Sequence, residues 1–169
     1  MSNAYALQNA DFLDHIDVVC PKCAKRAVVT GGKPNQYSVE DDQNIRCSCA
    51  HCGFVAVLND ASKSTVFVNS RDVPVKSHVL YFNSPCDPFF QLPVWYEIPT
   101  THGSLWAYNE DHLTVNENFI ADKIRSRNGI ALKNKSIASR LPAWASSAKN
   151  REYLVKTIKK FKEKQDFSV

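Results

Sequence analysis

Two cysteine pairs constrain this chain more tightly than any other feature. CPKC at 20–23 and CAHC at 49–52 hold four of its six cysteines, and Cys47 stands just ahead of the second pair. Two cysteines separated by two residues can turn both sulfurs toward one point, and a second such pair completes a tetrahedron of thiolates around a zinc ion at ~2.3 Å. Cys20, Cys23, Cys49 and Cys52 meet that requirement, as ligands of one structural Zn2+. Pro21 pre-sets φ for the first turn, and Gly53 suits the left-handed turn that closes the second. The 25 residues between Cys23 and Cys49 exceed the usual gap, but TGGKPN at 30–35 supplies a turn among them, so the surplus reads as a hairpin and its loop.

A register shift could recruit Cys47 in place of Cys49, although CSC spacing cannot form the same turn as CxxC, and Cys49 is the expected ligand. His51, inside the second knuckle, is expected to face solvent, and Cys86 in SPCDP to be an unliganded, half-buried thiol. A closed shell of four sulfurs leaves no position for water, so the expected role of the ion is structural. The opening MSNAYALQNADF carries neither a basic nor an apolar signal region, and no apolar run approaches the ~18 residues of a membrane span. The expected compartment is therefore the cytoplasm, where reduced cysteines serve metals rather than disulfides.

Around the knuckles, RAVVT (26–30), NIRCS (44–48), GFVAVL (53–58) and TVFV (65–68) read as short strands bounded by turn residues, as in a zinc ribbon built from hairpins. From residue 81 the character changes to prolines and aromatics, with LPVWYEI and SLWAYN expected to form or join a small sheet. TVNE at 114–117 reads as a capping box opening a helix over about 115–127, stopped at Asn128-Gly129. A second helix begins near Ser146 or Ser147, with Leu154, Ile158 and Phe161 on one stripe and Lys149, Lys156, Lys160 and Lys164 opposite. The fold class expected is α+β: an N-terminal β zinc ribbon with its following strands over 15–80, then a small mixed domain over 81–169 ending in a basic amphipathic helix.

Charge is unevenly spread. Lys123 to Lys164 holds 13 Lys or Arg against two acids, a balance of +11, whereas residues 1–80 carry eight of each sign and the whole chain only +4. Such a concentration attracts polyanions, and DNA or RNA is the obvious one. Arg125, Arg127, Lys133, Lys135, Arg140, Lys149, Arg151, Lys156 and Lys160 are the expected phosphate contacts. A solvated helix face that keeps the protein soluble explains the same charges about equally well.

CPKC with CAHCG, then DPFFQLPVWYE, HGSLWAYNEDHL and SRLPAWASSAKNREYLVKTIKK, resemble the bacterial family of transcription-factor-IIB-type zinc-ribbon-containing proteins, over about residues 18–162. The resemblance implies the ribbon and its four cysteine ligands and assigns no reaction. Cys47 is a departure from the pattern. The segments Asp87–Trp95, Leu105–Asn109 and Ser139–Trp144 recur in that order without a chemistry attached.

Three functional classes follow: nucleic-acid binding, a protein-interaction module scaffolded by zinc, with Trp95, Trp106 and Trp144 as anchors, and an enzyme. The third is least expected. No Ser-His-Asp, Cys-His or phosphate-loop pattern is present, Cys86 with His102 or His112 is the one nucleophile–base pairing available, and His102, Asp111 and His112 lack ligand spacing for a second metal. No small-molecule substrate is evident, and no membrane partner.

Overall fold

The computed structural model describes residues 4–33, 39–125, 129 and 135–166. It is α+β and divides into two compact units, residues 13–95 and residues 1–12 with 96–169.

The first unit is built on a four-stranded antiparallel sheet in the order β1 (His15–Val19), β2 (Arg26–Thr30), β3 (Arg46–Ser48), β4 (Val55–Val57). Its core is β-branched and aliphatic: Ile16, Val18, Val29, Ile45 and Leu58 are fully buried. Each of these contributes roughly 1.5–3 kcal/mol by leaving water. The antiparallel register Val28↔Ser48 sets the middle of β2 beside the end of β3, with Arg26 and Ala27 running on past it. The β1–β2 and β3–β4 turns, which carry the cysteine pairs, therefore emerge at the same end of the sheet.

Leaving β2, the chain passes Gly31 at φ +91°, where an added Cβ would come within 2.2 Å of the Asn44 carbonyl oxygen. Only glycine fits that crossing. Pro34 and Asn35 of the expected turn lie outside the described residues.

The free edge of β1 is covered by the return of the DPFFQLPVW segment. Asp87, fully buried, accepts backbone N–H bonds from Phe89 (3.0 Å), Phe90 (2.7 Å) and Leu92 (2.6 Å) and so shapes that loop. Burial raises the Asp87 pKa, against these three donations. The loop then delivers Pro93 and Trp95 to β1, with Val19 N–H on the Pro93 carbonyl (2.9 Å) and Trp95 N–H on the Asp17 carbonyl (2.8 Å). This pairing lies within the compact unit that runs to residue 95.

Two further strands, β5 (Ser64–Val68) and β6 (Pro74–Ser77), form a separate hairpin with a bulge between Thr65 and Phe67. β1 and β6 are absent from the strands expected, while β2 matches its predicted stretch, β3 and β4 fall inside theirs, and β5, β7 and β8 overlap theirs with shifted ends.

In the second unit, β7 (Tyr96–Thr100) and β8 (Gly103–Ala107) form the hairpin anticipated for LPVWYEI and SLWAYN. Among the described residues three helices accompany it: α1 (Glu110–Ala121), a single turn α2 (Ile137–Arg140) and α3 (Arg151–Asp166). α1 packs against α3 and β8, and α3 against β7. Leu113 and Ile120 of α1 are fully buried, and of the stripe expected on α3, Leu154 and Ile158 are fully buried and Phe161 half-buried.

The start of α1 corrects the sequence reading. Asn109 is the N-cap, its side chain accepting the His112 N–H at 2.9 Å, and Glu110 and Asp111 place acids in the first turn where the helix dipole favours them. Thr114 and Glu117 lie a turn further on and both engage Lys162 of α3, at 3.2 and 2.8 Å. The helix ends at Ala121, six residues short of the expected stop, and Asn128 lies outside the described residues.

Candidate metal centre

Each cysteine pair sits in a tight turn, and the two turns share one hydrogen-bonding plan. In the first, Ala24 N–H donates to the Cys20 carbonyl (2.9 Å) and Cys20 N–H to the Lys25 carbonyl (2.8 Å). In the second, Gly53 N–H donates to the Cys49 carbonyl (2.9 Å) and Cys49 N–H to the Phe54 carbonyl (2.8 Å). The residue after each second cysteine is left-handed, Ala24 at φ 57° and Gly53 at φ 72°.

The four sulfurs converge. Cys20 Sγ lies 3.7 Å from Cys52 Sγ, Cys23 Sγ lies 3.7 Å from Cys49 Sγ, and all four are within 4.8 Å of one another, close enough to hold a metal ion. Four thiolates tetrahedrally disposed at ~2.3 Å from a common centre stand roughly 3.8 Å apart, the spacing that the Cys20–Cys52 and Cys23–Cys49 pairs already have. Cys20 and Cys49 are buried and Cys23 and Cys52 half-buried.

So many thiols around one point cannot all ionise unaided. Burial opposes ionisation of Cys20, but backbone N–H groups of Lys22 and Cys23 and the adjacent thiols outweigh it and bring that thiol down to about 7. At Cys23 the Lys25 N–H favours the thiolate, yet burial and the neighbouring sulfurs prevail and push it up to about 12. A cation at the centre removes that conflict.

Cys47 is not a member of the cluster. It lies on β3 opposite Ala56, fully buried, and burial first, then the charges of Asp87, Cys20 and Cys49, push its thiol up to about 12. His51 is exposed and Cys86 half-buried.

The expected phosphate contacts separate into groups. Lys135, Arg140, Lys149, Lys156 and Lys160 are exposed, and Arg127 and Lys133 lie outside the described residues. Arg125 and Arg151 are turned inward. The Arg125 guanidinium donates to the carbonyls of Phe119 (3.2 Å), Ile120 (3.4 Å) and Ser146 and lies 4.9 Å over the Phe119 ring, while Arg151 Nε donates to the Ile120 carbonyl (3.3 Å). Together they satisfy carbonyls that the C-terminus of α1 leaves without helical partners. An arginine placed shortly after a helix end was the available signal for this role.

Trp95, Trp106 and Trp144 are all half-buried. Trp144 covers the β7–β8 turn, where a Cβ on Gly103 would meet its ring at 3.5 Å. His102 is exposed beside Trp144 and Tyr153, and His112 is buried with its Nδ1 accepting the Tyr108 N–H at 3.2 Å. Leu105–Asn109 and Ser139–Trp144 belong to the second unit, Asp87–Trp95 to the first. Among the described residues no helix is long and apolar enough to cross a membrane. Comparison with protein-family models, with curated proteins and with solved structures returned no match.

Proposed function

We propose that the chain is a non-catalytic, cytoplasmic zinc-ribbon protein that binds nucleic acid through the basic outer face of α3. Four soft thiolates converging on one point favour zinc over harder divalent ions, and a shell closed by sulfur reserves the ion for scaffolding. All six cysteines are thiols, in keeping with a reducing compartment. The order of the DPFFQLPVW, LWAYN and SRLPAW motifs supports placing the chain beside the bacterial transcription-factor-IIB-type zinc-ribbon-containing proteins.

The observation that carries the nucleic-acid reading is the row of exposed cations on α3. Lys156, Lys159 and Lys160 face solvent while Leu154 and Ile158 are buried on the opposite side, and exposed Lys149 precedes them. Arg151, Lys156 and Lys159, against the single acid Glu152, also line an open groove of about 380 Å3. Phosphates neutralised by such side chains release counterions, so affinity depends steeply on salt. Labelled single- and double-stranded oligonucleotides titrated over a salt series test this. Binding that weakens linearly in log–log form, with a slope reduced by about 1 in each of Lys156→Gln and Lys160→Gln, supports it. Absence of binding at low ionic strength removes it.

A second reading, a protein partner, is favoured by the β5–β6 hairpin. Val66, Phe67 and Val68 are 48, 57 and 54 % exposed, and a two-stranded hairpin with uncovered apolar side chains gains from being covered. Co-purification of a partner with the native chain and its loss with Phe67→Ser would support this reading; equal recovery would sink it.

A further inference from the structure

The LWAYN and SRLPAW segments have no part in the function just proposed, yet they meet in the second unit around a half-open cavity of about 50 Å3. Asn9, Trp106, His112, Asn116 and Arg140 contribute to its lining. One water occupies about 10–15 Å3 on this measure, so the space suits roughly four atoms of that size.

Three of these side chains offer polar groups to a ligand. Asn116 is 1 % exposed; its Nδ2 donates to the Trp106 carbonyl at 3.3 Å, which fixes the orientation of the amide, and its Oδ1 has no partner among the described residues. A buried acceptor left in that state loses the hydrogen bonds it had in water, and a donor from a ligand would restore them. His112 accepts the Tyr108 N–H on Nδ1, so its neutral ring carries the proton on Nε2. Burial pushes its pKa down to about 3, which keeps the ring a neutral donor throughout the physiological range. Arg140, exposed at the end of α2, adds a cation to the same lining.

We propose that this cavity binds the head of a small α-hydroxy or α-amino carboxylate. The carboxylate pairs with Arg140 and accepts from His112 Nε2–H, and the adjacent hydroxyl or ammonium donates to Asn116 Oδ1. A plain carboxylate leaves the Asn116 oxygen without a donor. A simple amine meets Arg140 as a like charge, and an aromatic ring exceeds the space.

The test uses the full-length chain and the smallest members of the class. Glycolate and glycine are titrated into the 15N-labelled protein, with acetate as the carboxylate that lacks a donor. The expected result is saturable shifts at the Trp106 indole and the Asn116 side-chain amide with glycolate or glycine, and roughly tenfold weaker binding of acetate. Arg140→Gln, at an exposed position that leaves the fold intact, should weaken the tighter ligand by about tenfold or more. No saturable shift with either glycolate or glycine, acetate binding as tightly as both, or Arg140→Gln binding unchanged would each overturn the proposal. These outcomes do not depend on whether the chain binds nucleic acid.

Discussion

Ala24 and Gly53 occupy equivalent positions one residue beyond each knuckle, both left-handed, yet only one of them is the residue that adopts this conformation without strain. Alanine there costs about 1–2 kcal/mol, against which glycine loses about 0.5–1 kcal/mol more chain entropy on folding. The difference favours glycine. Ala24→Gly is expected to stabilise the first unit by about 0.5–1 kcal/mol. Gly53→Ala meets nothing within 4 Å and should destabilise it by a similar amount through the backbone alone. Urea unfolding of the metal-loaded protein measures both, and opposite signs are expected.

The β5–β6 hairpin is tied down at both ends by one carboxylate. Lys63 Nζ, just before β5, lies 3.4 Å from Asp42 Oδ2, and His78 Nε2, just after β6, lies 3.2 Å from the same oxygen. Asp42 and His78 are buried, so removing the carboxylate leaves the Lys63 ammonium without its counter-charge and the His78 ring without its polar neighbour. Asp42→Asn should cost about 1–3 kcal/mol locally. Limited trypsin digestion reads it as faster cleavage at Arg71 and Lys76, and an unchanged cleavage rate would contradict the anchoring.

Arg125 separates structural from electrostatic cations. Arg125→Gln removes its bonds to the carbonyls of Phe119, Ile120 and Ser146 and its stacking on Phe119, and should destabilise the second unit by about 2 kcal/mol. Lys156→Gln should leave stability within about 0.5 kcal/mol. Thermal unfolding of both variants beside their oligonucleotide salt slopes checks the division, with only the lysine variant expected to change slope.

His112 gives the second unit a pH dependence. Its folded pKa is lowered by burial to about 3, against 6.5 for the ordinary group, so the unfolded chain binds the extra proton between those values. The stability it contributes is fully present above about pH 6.5 and is lost as pH falls toward 3, at about 1.4 kcal/mol per pH unit. Hydrogen exchange of the α1 amides, corrected for intrinsic rate, should show protection dropping about tenfold per unit below pH 6.5. Constant protection between pH 6.5 and 4.5 would contradict it.

The parts of this fold that were legible in the sequence are those written in short-range pattern. The two CxxC turns, most of the strands, the β7–β8 hairpin and the buried stripe of α3 follow from spacing and periodicity that local geometry enforces. What escaped depends on partners distant in the chain. β1 is short, and its outer edge is completed by Pro93 and Trp95, more than seventy residues on. The TVNE box at 114–117 has the right residue types, but Asn109 and two acids start the helix earlier, and Lys162, supplied by α3, takes Thr114 and Glu117. Net charge hid a similar distinction, since a sum of charges does not separate Arg125, just past the end of α1, or Arg151, far along the chain, from cations on the surface. The cavity at Asn116 likewise exists only once residues 9, 104–116 and 137–142 are brought together.

The central claim is that Cys20, Cys23, Cys49 and Cys52 close around one ion and that this ion holds residues 13–95 in shape. Structural zinc supplies roughly 10–16 kcal/mol of apparent binding free energy in modules of this kind, more than a unit with so small a core retains otherwise. Native mass spectrometry with elemental analysis, run alongside NMR spectra before and after a strong chelator, tests it directly. The account predicts one zinc per chain, its loss on chelation or in Cys49→Ser but not in Cys47→Ala, and collapse of the signals from 13–95. A chain purified without metal and giving a dispersed, chelator-insensitive spectrum for 13–95 would contradict it.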